Sequence, residues 1–177
     1  MLKIHNQSTF RLINAKKRTQ EFHHIFLTLS QSYLCGLDSH KRDGILRYGL
    51  LEVLLVNAKQ MRAINYKERG IDKQTDVLSF PLEIMEFDWQ VLESCAPKNF
   101  NIPLGSILIN VEQARQCAKK FQHSFDDELK LLFIHALLHI FGFDHECDNG
   151  EQRKEEQKWI EHFALPQSLI TRTDGYI

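Results

Sequence analysis

Apolar residues recur at helical spacing over residues 18–36, where Phe22, Ile25, Phe26, Leu29 and Tyr33 fall on one face. Gly36, Asp38 and Ser39 follow as a stop. Ahead of this helix, Leu2 to His5 predicts a short strand. Residues 45–56, ILRYGLLEVLLV, are almost continuously apolar and predict a buried strand interrupted at Gly49. Residues 57–68 return to helical spacing behind Asn57, and Gly70, Asp72 and Lys73 make a turn. Thr75 to Pro81 predicts a short strand ending at proline, residues 104–111 a further strand and 112–122 a further helix. Residues 83–103 are the least regular, with acidic residues, a lone Trp89, Pro97 and Pro103. A long irregular stretch inside a compact domain predicts an insertion or functional flap at about 85–103.

The next helix differs in kind. It starts near Ser124, with Asp127 at capping-box spacing and Asp126, Asp127 and Glu128 suited to the positive end of the helix. It runs to about Phe141 and stops at Gly142. Leu129, Leu131, Leu132, Phe133, Ile134, Ala136, Leu137, Leu138, Ile140 and Phe141 make it apolar nearly all round, so it is buried on several sides. A last helix spans about 150–163. Strands interleaved with helices predict an α+β domain over residues 1–177: a mixed sheet of about four strands packed with about five helices.

A chain of 177 residues can bury a core without staples, and its four cysteines, Cys35, Cys95, Cys117 and Cys147, form no C-x-x-C pair. That usage points to a reducing compartment. The first twenty residues lack the apolar segment of a secretory leader, and the most apolar run, Leu129 to Phe143, is too short to span a membrane. A cytoplasmic protein without a membrane partner is expected. The net charge of −1 removes any molecule-wide basic footprint, so a nucleic-acid partner would need a local patch. Lys16, Lys17 and Arg18, and Lys119 and Lys120, read as solvated surface.

The chemistry gathers in the apolar helix. His135 and His139 are four apart and project from one face, one turn above the other. Gly142 lets the chain turn, and His145 can swing back to the same point. A buried imidazole left unpaired costs about 1–3 kcal/mol, and one shared zinc ion uses three such nitrogens at once. The reading is one zinc ion per chain on His135, His139 and His145, with a fourth position open for water, as in catalytic sites. Asp144, Glu146 or Cys147 could close that position instead. The remaining histidines show no metal spacing.

The pattern His-x-x-x-His-x-x-Gly-x-x-His is that of the metzincin metalloproteases. Those enzymes carry a general-base glutamate directly after the first histidine, where this chain has Ala136, which accepts no proton. They also place a methionine turn after the third histidine, whereas Met1, Met61 and Met85 all precede it. A metallopeptidase-like hydrolase is therefore disfavoured.

HALLHIFGFDH, from His135 to His145, resembles the signature of the bacterial YbeY endoribonucleases, H-G-x-L-H-L-x-G-Y-D-H. RGIDKQTDVLSFP, from Arg69 to Pro81, resembles that family's R-G-K-D-K-P-T-D-V-L-S-F-P, and LGSILIN, from Leu104 to Asn110, resembles L-G-D-I-x-I-N. The blocks keep the family's order. Ala136, Phe143, Gln74 and Ser106 depart from it, and Ser106, which stands where an aspartate is usual, is given no catalytic role.

The resemblance implies a mixed sheet with surrounding helices and zinc on the three histidines. It implies a single-strand-specific endoribonuclease in ribosomal RNA maturation and ribosome quality control. The partners would be single-stranded or ribosomal RNA, and the ribosome or small-subunit proteins. A zinc ion can acidify a water or polarise a phosphoryl oxygen, and the sequence does not choose between these roles. Arg69 matches the family's arginine and is the expected catalytic contact to phosphate; a turn arginine paired with Asp72 or Glu68 is the alternative. Thr75, Asp76 and Ser79 sit in the matching strand, where Asp76 either orients a ligand or caps a turn. Asp144 either holds a neighbouring imidazole or is simply exposed. A non-enzymatic ribosome-assembly factor, its structural zinc closed by Cys147, is the second functional reading.

Overall fold

The computed structural model describes residues 1–8, 15–83, 89–145 and 147–166. Within them the elements run β1 (Leu2–Asn6), α1 (Ala15–Tyr33), α2 (Ser39–Tyr48), β2 (Gly49–Val56), α3 (Ala58–Arg69), β3 (Val77–Pro81), α4 (Trp89–Cys95), β4 (Ile102–Asn110), α5 (Val111–Lys120), α6 (Phe125–Ile140) and α7 (Glu151–His162). The four strands form one mixed sheet in the order β1-β2-β4-β3. β1, β2 and β4 are parallel, and β3 is antiparallel to β4 at the edge. The α+β class with four strands is as expected from the sequence; the helices are more numerous.

Two helices were hidden in the pattern. The run expected as one strand over 45–56 is helix to Tyr48 and strand from Gly49. Asp38, read as part of a helix stop, is the N-cap of α2: its carboxylate accepts the His40 and Lys41 N–H groups. The boundary is hard to see by periodicity because Ile45 and Leu46 run on into the apolar residues of β2 with Arg47 as the one charged residue between them. Inside the stretch expected to be irregular, Trp89 to Cys95 form α4, and β4 already begins at Ile102. Residues 84–88 lie outside the described ones, as do 9–14.

Strand alternation divides the interior between the two sheet faces. Leu51, Val53 and Leu55 of β2 and Ile107 and Ile109 of β4 join the large core with α1 and α6. Val56 of β2, Leu78 of β3 and Leu108 of β4 meet Met61 of α3 in a smaller cluster. The helix carrying the histidines and the helix ending in Arg69 thus pack against different groups of sheet residues. α6 is the centre of the large core: Leu129, Leu132, Phe133, Ile134, Leu137 and Leu138 are fully enclosed, and Phe133 stacks on Phe22 with ring centroids 4.4 Å apart. Each such side chain contributes about 1.5–3 kcal/mol through burial, which holds the histidine backbone rigid.

Both ends of α6 are specified locally. The Ser124 hydroxyl oxygen accepts the Asp127 N–H at 3.0 Å and donates to the Asp127 carboxylate at 2.7 Å. The cap is the expected one, but the return bond runs hydroxyl to carboxylate. At the C-terminus, the Phe143 N–H bonds to Leu138 O and the Gly142 N–H to His139 O, the paired bonds of a Schellman motif. Gly142 takes φ +91°, a value a side chain resists.

Candidate metal centre and cleft

His135 is buried, His139 half-buried and His145 exposed, so the three imidazoles step from the core to the surface. Their ring centroids lie 5.0, 5.2 and 5.3 Å apart, and one ligand nitrogen from each comes within 4.8 Å of the others. α6 supplies the first two by helical spacing. The Gly142 turn supplies the third, and the Asp144 carbonyl closes the following bend by accepting the Cys147 and Asp148 N–H groups.

α7 then folds back behind the cluster. It is a polar helix, yet its buried stripe is Gln152, Glu156, Trp159 and Ile160. Glu156 is fully enclosed, with Oε2 2.7 Å from His135 Nδ1. An ionised carboxylate can only accept, so this contact places the proton on Nδ1 and turns the Nε2 lone pair outward. The Gln152 carbonyl oxygen accepts the His145 N–H at 3.0 Å, which leaves its amide nitrogen 3.3 Å from His139 Nε2. The Asp148 carboxylate accepts the Gln152 and Gly150 N–H groups, each at 2.7 Å, and these bonds hold it below the ordinary carboxylate range. Burial, and then the repulsion that neighbouring His135 and His145 would exert on a further positive charge, push His139 below the usual imidazole value, so it presents a lone pair at neutral pH.

An aromatic brace supports the turn. Tyr33 packs on Phe141 and Phe143 at 5.0 and 5.3 Å, donates to Glu155 at 2.5 Å and accepts from Trp159. Burial and then Glu155 raise the Tyr33 hydroxyl, which therefore stays a phenol.

The cluster forms one wall of a cleft of about 600 Å³. The same cleft is lined by Arg69, Thr75, Asp76, Ser79 and Pro81, and by Asp144 next to His145 in the chain. Arg69 is the last residue of α3, where Gly70, at φ +72°, turns the chain toward β3. Arg62 donates from Nε and Nη2 to the two Asp72 carboxylate oxygens, each at 2.7 Å, and Glu68 pairs with Lys67 at 2.9 Å. The Asp76 carboxylate accepts the Val77 N–H at 2.9 Å and the Thr75 hydroxyl at 3.1 Å. It therefore caps its own turn while facing the cleft. Asn110, fully buried, donates its backbone N–H to Asp76 O and its side-chain amide to Thr75 O, pinning this segment to β4.

The residues singled out in the sequence thus converge on one cleft. Ser106, in β4, does not line it. Among the described residues the cluster comprises the three imidazoles alone, without Cys147 or Asp144; Glu146 lies outside those residues. None of the four cysteines forms a disulfide. Sequence reasoning missed Gln152, Glu156 and Asn110. A signal for the first two existed: polar residues four apart, in register with Trp159 and Ile160 on one helix face.

The donor set suits a borderline-soft divalent ion. Three imidazole nitrogens converge, and the innermost ring is oriented from behind by a buried carboxylate, the usual support of a metal-bound histidine. Fold and site together define an α+β protein whose central helix and following turn bring three histidines to the wall of an arginine-bearing cleft. The chain belongs to the YbeY endoribonuclease family: the family profile described as Endoribonuclease YbeY matches residues 3–164. Proteins named Endoribonuclease YbeY are similar to it in Campylobacter jejuni strain RM1221 (51% identity, 70% of this chain and 82% of the relative) and Helicobacter hepaticus (52%, 70% and 74%). One from Campylobacter fetus is 47% identical over 81% of this chain and 95% of its own. The solution structure of a Thermotoga maritima protein shares the fold, with a TM-score of 0.52 at 22% identity over 91% of this chain and 87% of that one. No helix among the described residues is long and apolar enough to cross a membrane.

Proposed function

We propose that this protein is a zinc-dependent, single-strand-specific endoribonuclease acting in ribosomal RNA maturation and ribosome quality control, in the cytoplasm and in contact with the ribosome. The observation that carries the reading is the three-imidazole cluster lining one cleft together with Arg69. His135, His139 and His145 would hold one zinc ion, which when bound supplies Lewis acidity toward water or a phosphoryl oxygen. The chain's own residues do the rest. Arg69 clamps the phosphate by paired N–H donation. Glu156 fixes the His135 tautomer, and Gln152 ties the His145 backbone to the same helix. Asp76 and Asn110 fix the Thr75–Val77 segment, which lines the cleft together with Arg69.

Elemental analysis and a cleavage assay test this together. The expected result is one zinc ion per chain and cleavage of a single-stranded RNA but not of the same sequence in duplex form. Protein without zinc after zinc has been supplied, or equal cleavage of both RNAs, overturns the proposal. Arg69→Ala is expected to keep its zinc while cleavage falls roughly a hundredfold, the scale of a lost charge-assisted pair of bonds at about 1.5–3 kcal/mol. Unchanged cleavage by this variant would remove Arg69 from the phosphate role.

A further inference from the structure

The cleft accounts for only the last residue of α3. Residues 59–73 carry five lysines and arginines against two carboxylates, on a chain whose net charge is −1. Arg62, Tyr66 and Arg69 stand at i, i+4 and i+7 and so form one stripe, which ends in the cleft. Tyr66 is 61% exposed, a large aromatic ring left on the surface of a helix that packs elsewhere through Met61. Ile71, just past the turn, is 44% exposed. The turn itself is pinned: Arg62 grips Asp72 through two bonds, and the Asn65 amide donates to Lys73 O at 2.7 Å. Lys67, next to Tyr66 in the chain, is largely exposed with its ammonium paired to Glu68 at 2.9 Å, and Lys73 is exposed after the turn.

A basic stripe with one exposed aromatic ring, continuous with a phosphate-binding arginine, has the chemistry of a single-strand nucleic-acid track. Every base has a π-face to stack, and cations follow the backbone. We propose that the exposed face of α3 binds the single-stranded RNA flanking the cleaved bond, with Tyr66 stacking a base and Lys67 and Lys73 contacting phosphates; this rests on the RNA-cleaving reading above. Duplex RNA keeps its bases stacked on one another and has none to give the ring, so the track itself favours single strands.

The full-length protein is tested with a short single-stranded RNA carrying a fluorescent aminopurine base, whose emission falls on stacking. Tyr66→Ala is expected to raise KM roughly tenfold at unchanged kcat and to abolish the quenching, whereas Tyr66→Phe retains both wild-type values. Replacing Lys67 and Lys73 together by Gln lowers the salt dependence of binding by about 1.4 in log–log slope, at about 0.7 per phosphate contact on a single strand. Wild-type protein that cleaves RNA while Tyr66→Ala keeps its KM and its quenching overturns the track and leaves the nuclease reading standing. Wild-type protein that quenches the probe without cleaving it supports the track and overturns the nuclease reading. Protein that does neither overturns both.

Discussion

His139→Ala is expected to purify without zinc and to cleave single-stranded RNA about a thousandfold more slowly than the wild type. His139 is the middle rung of the cluster, one helical turn from His135 and 5.3 Å by ring centroid from His145. Its removal leaves two nitrogens, one buried and one on an exposed turn, one ligand short of the three that an open site needs. A bound ion supplies several kcal/mol of charge stabilisation, and about 4 kcal/mol corresponds to a thousandfold in rate. The fold should survive. His139 is half-buried near the helix end, while the enclosed leucines and Phe133 that anchor α6 are untouched. Elemental analysis, cleavage kinetics and thermal unfolding of the metal-free proteins check this in parallel. A variant that retains a full zinc ion would show that the ion sits elsewhere; one that loses zinc but cleaves normally would separate the metal from the chemistry.

The contrast with Cys147→Ala distinguishes the enzyme from an assembly factor with a closed structural site. Three imidazoles and an exposed His145 leave one side of the cluster open to the cleft. Cys147→Ala is therefore expected to keep its zinc, whereas a four-ligand structural site would lose it.

How much of this was legible depended on whether the information was local. The histidine spacing, the Ser124 cap and the Gly142 stop are properties of consecutive residues, and each acts in the structure as periodicity and capping chemistry predict. The four strands were readable for the same reason. α2 was not, because the apolar residues at its end run into β2, and only the Asp38 cap marks its start. The side chains behind the site were less visible still. Glu156 lies 21 residues from His135 in the chain, and a glutamate in a polar helix looks like any solvated charge until the helix is known to pack inward. Asn110 bonds to a carbonyl 35 residues away. Long-range polar contacts of this kind leave no periodic trace unless, as with Gln152, Glu156, Trp159 and Ile160, they share a stripe with apolar residues.

Glu156 therefore provides the sharper test of whether α7 belongs to the metal centre or merely covers it. Glu156→Leu fills a similar volume but removes the acceptor from His135 Nδ1 in a site closed to water. The unpaired N–H costs about 1–3 kcal/mol of stability, and the ring no longer has a fixed tautomer. Zinc affinity is expected to fall by roughly 10–100-fold, as when other carboxylate supports behind metal-bound histidines are lost. Glu156→Gln retains an acceptor oxygen but loses the negative charge that makes the imidazole a better donor, so it should fall between Leu and the wild type. Competition with a chromophoric chelator gives the affinities, and thermal unfolding with and without zinc gives the stabilities. The increase in Tm on adding zinc should shrink in the order wild type, Gln, Leu, because binding stabilises only in proportion to affinity. If Glu156→Leu is less stable without metal yet binds zinc as tightly as the wild type, the carboxylate is a packing group and the His135 tautomer is set elsewhere. If both properties fall together, the buried face of α7 is part of the metal site, although it contributes none of the three imidazoles.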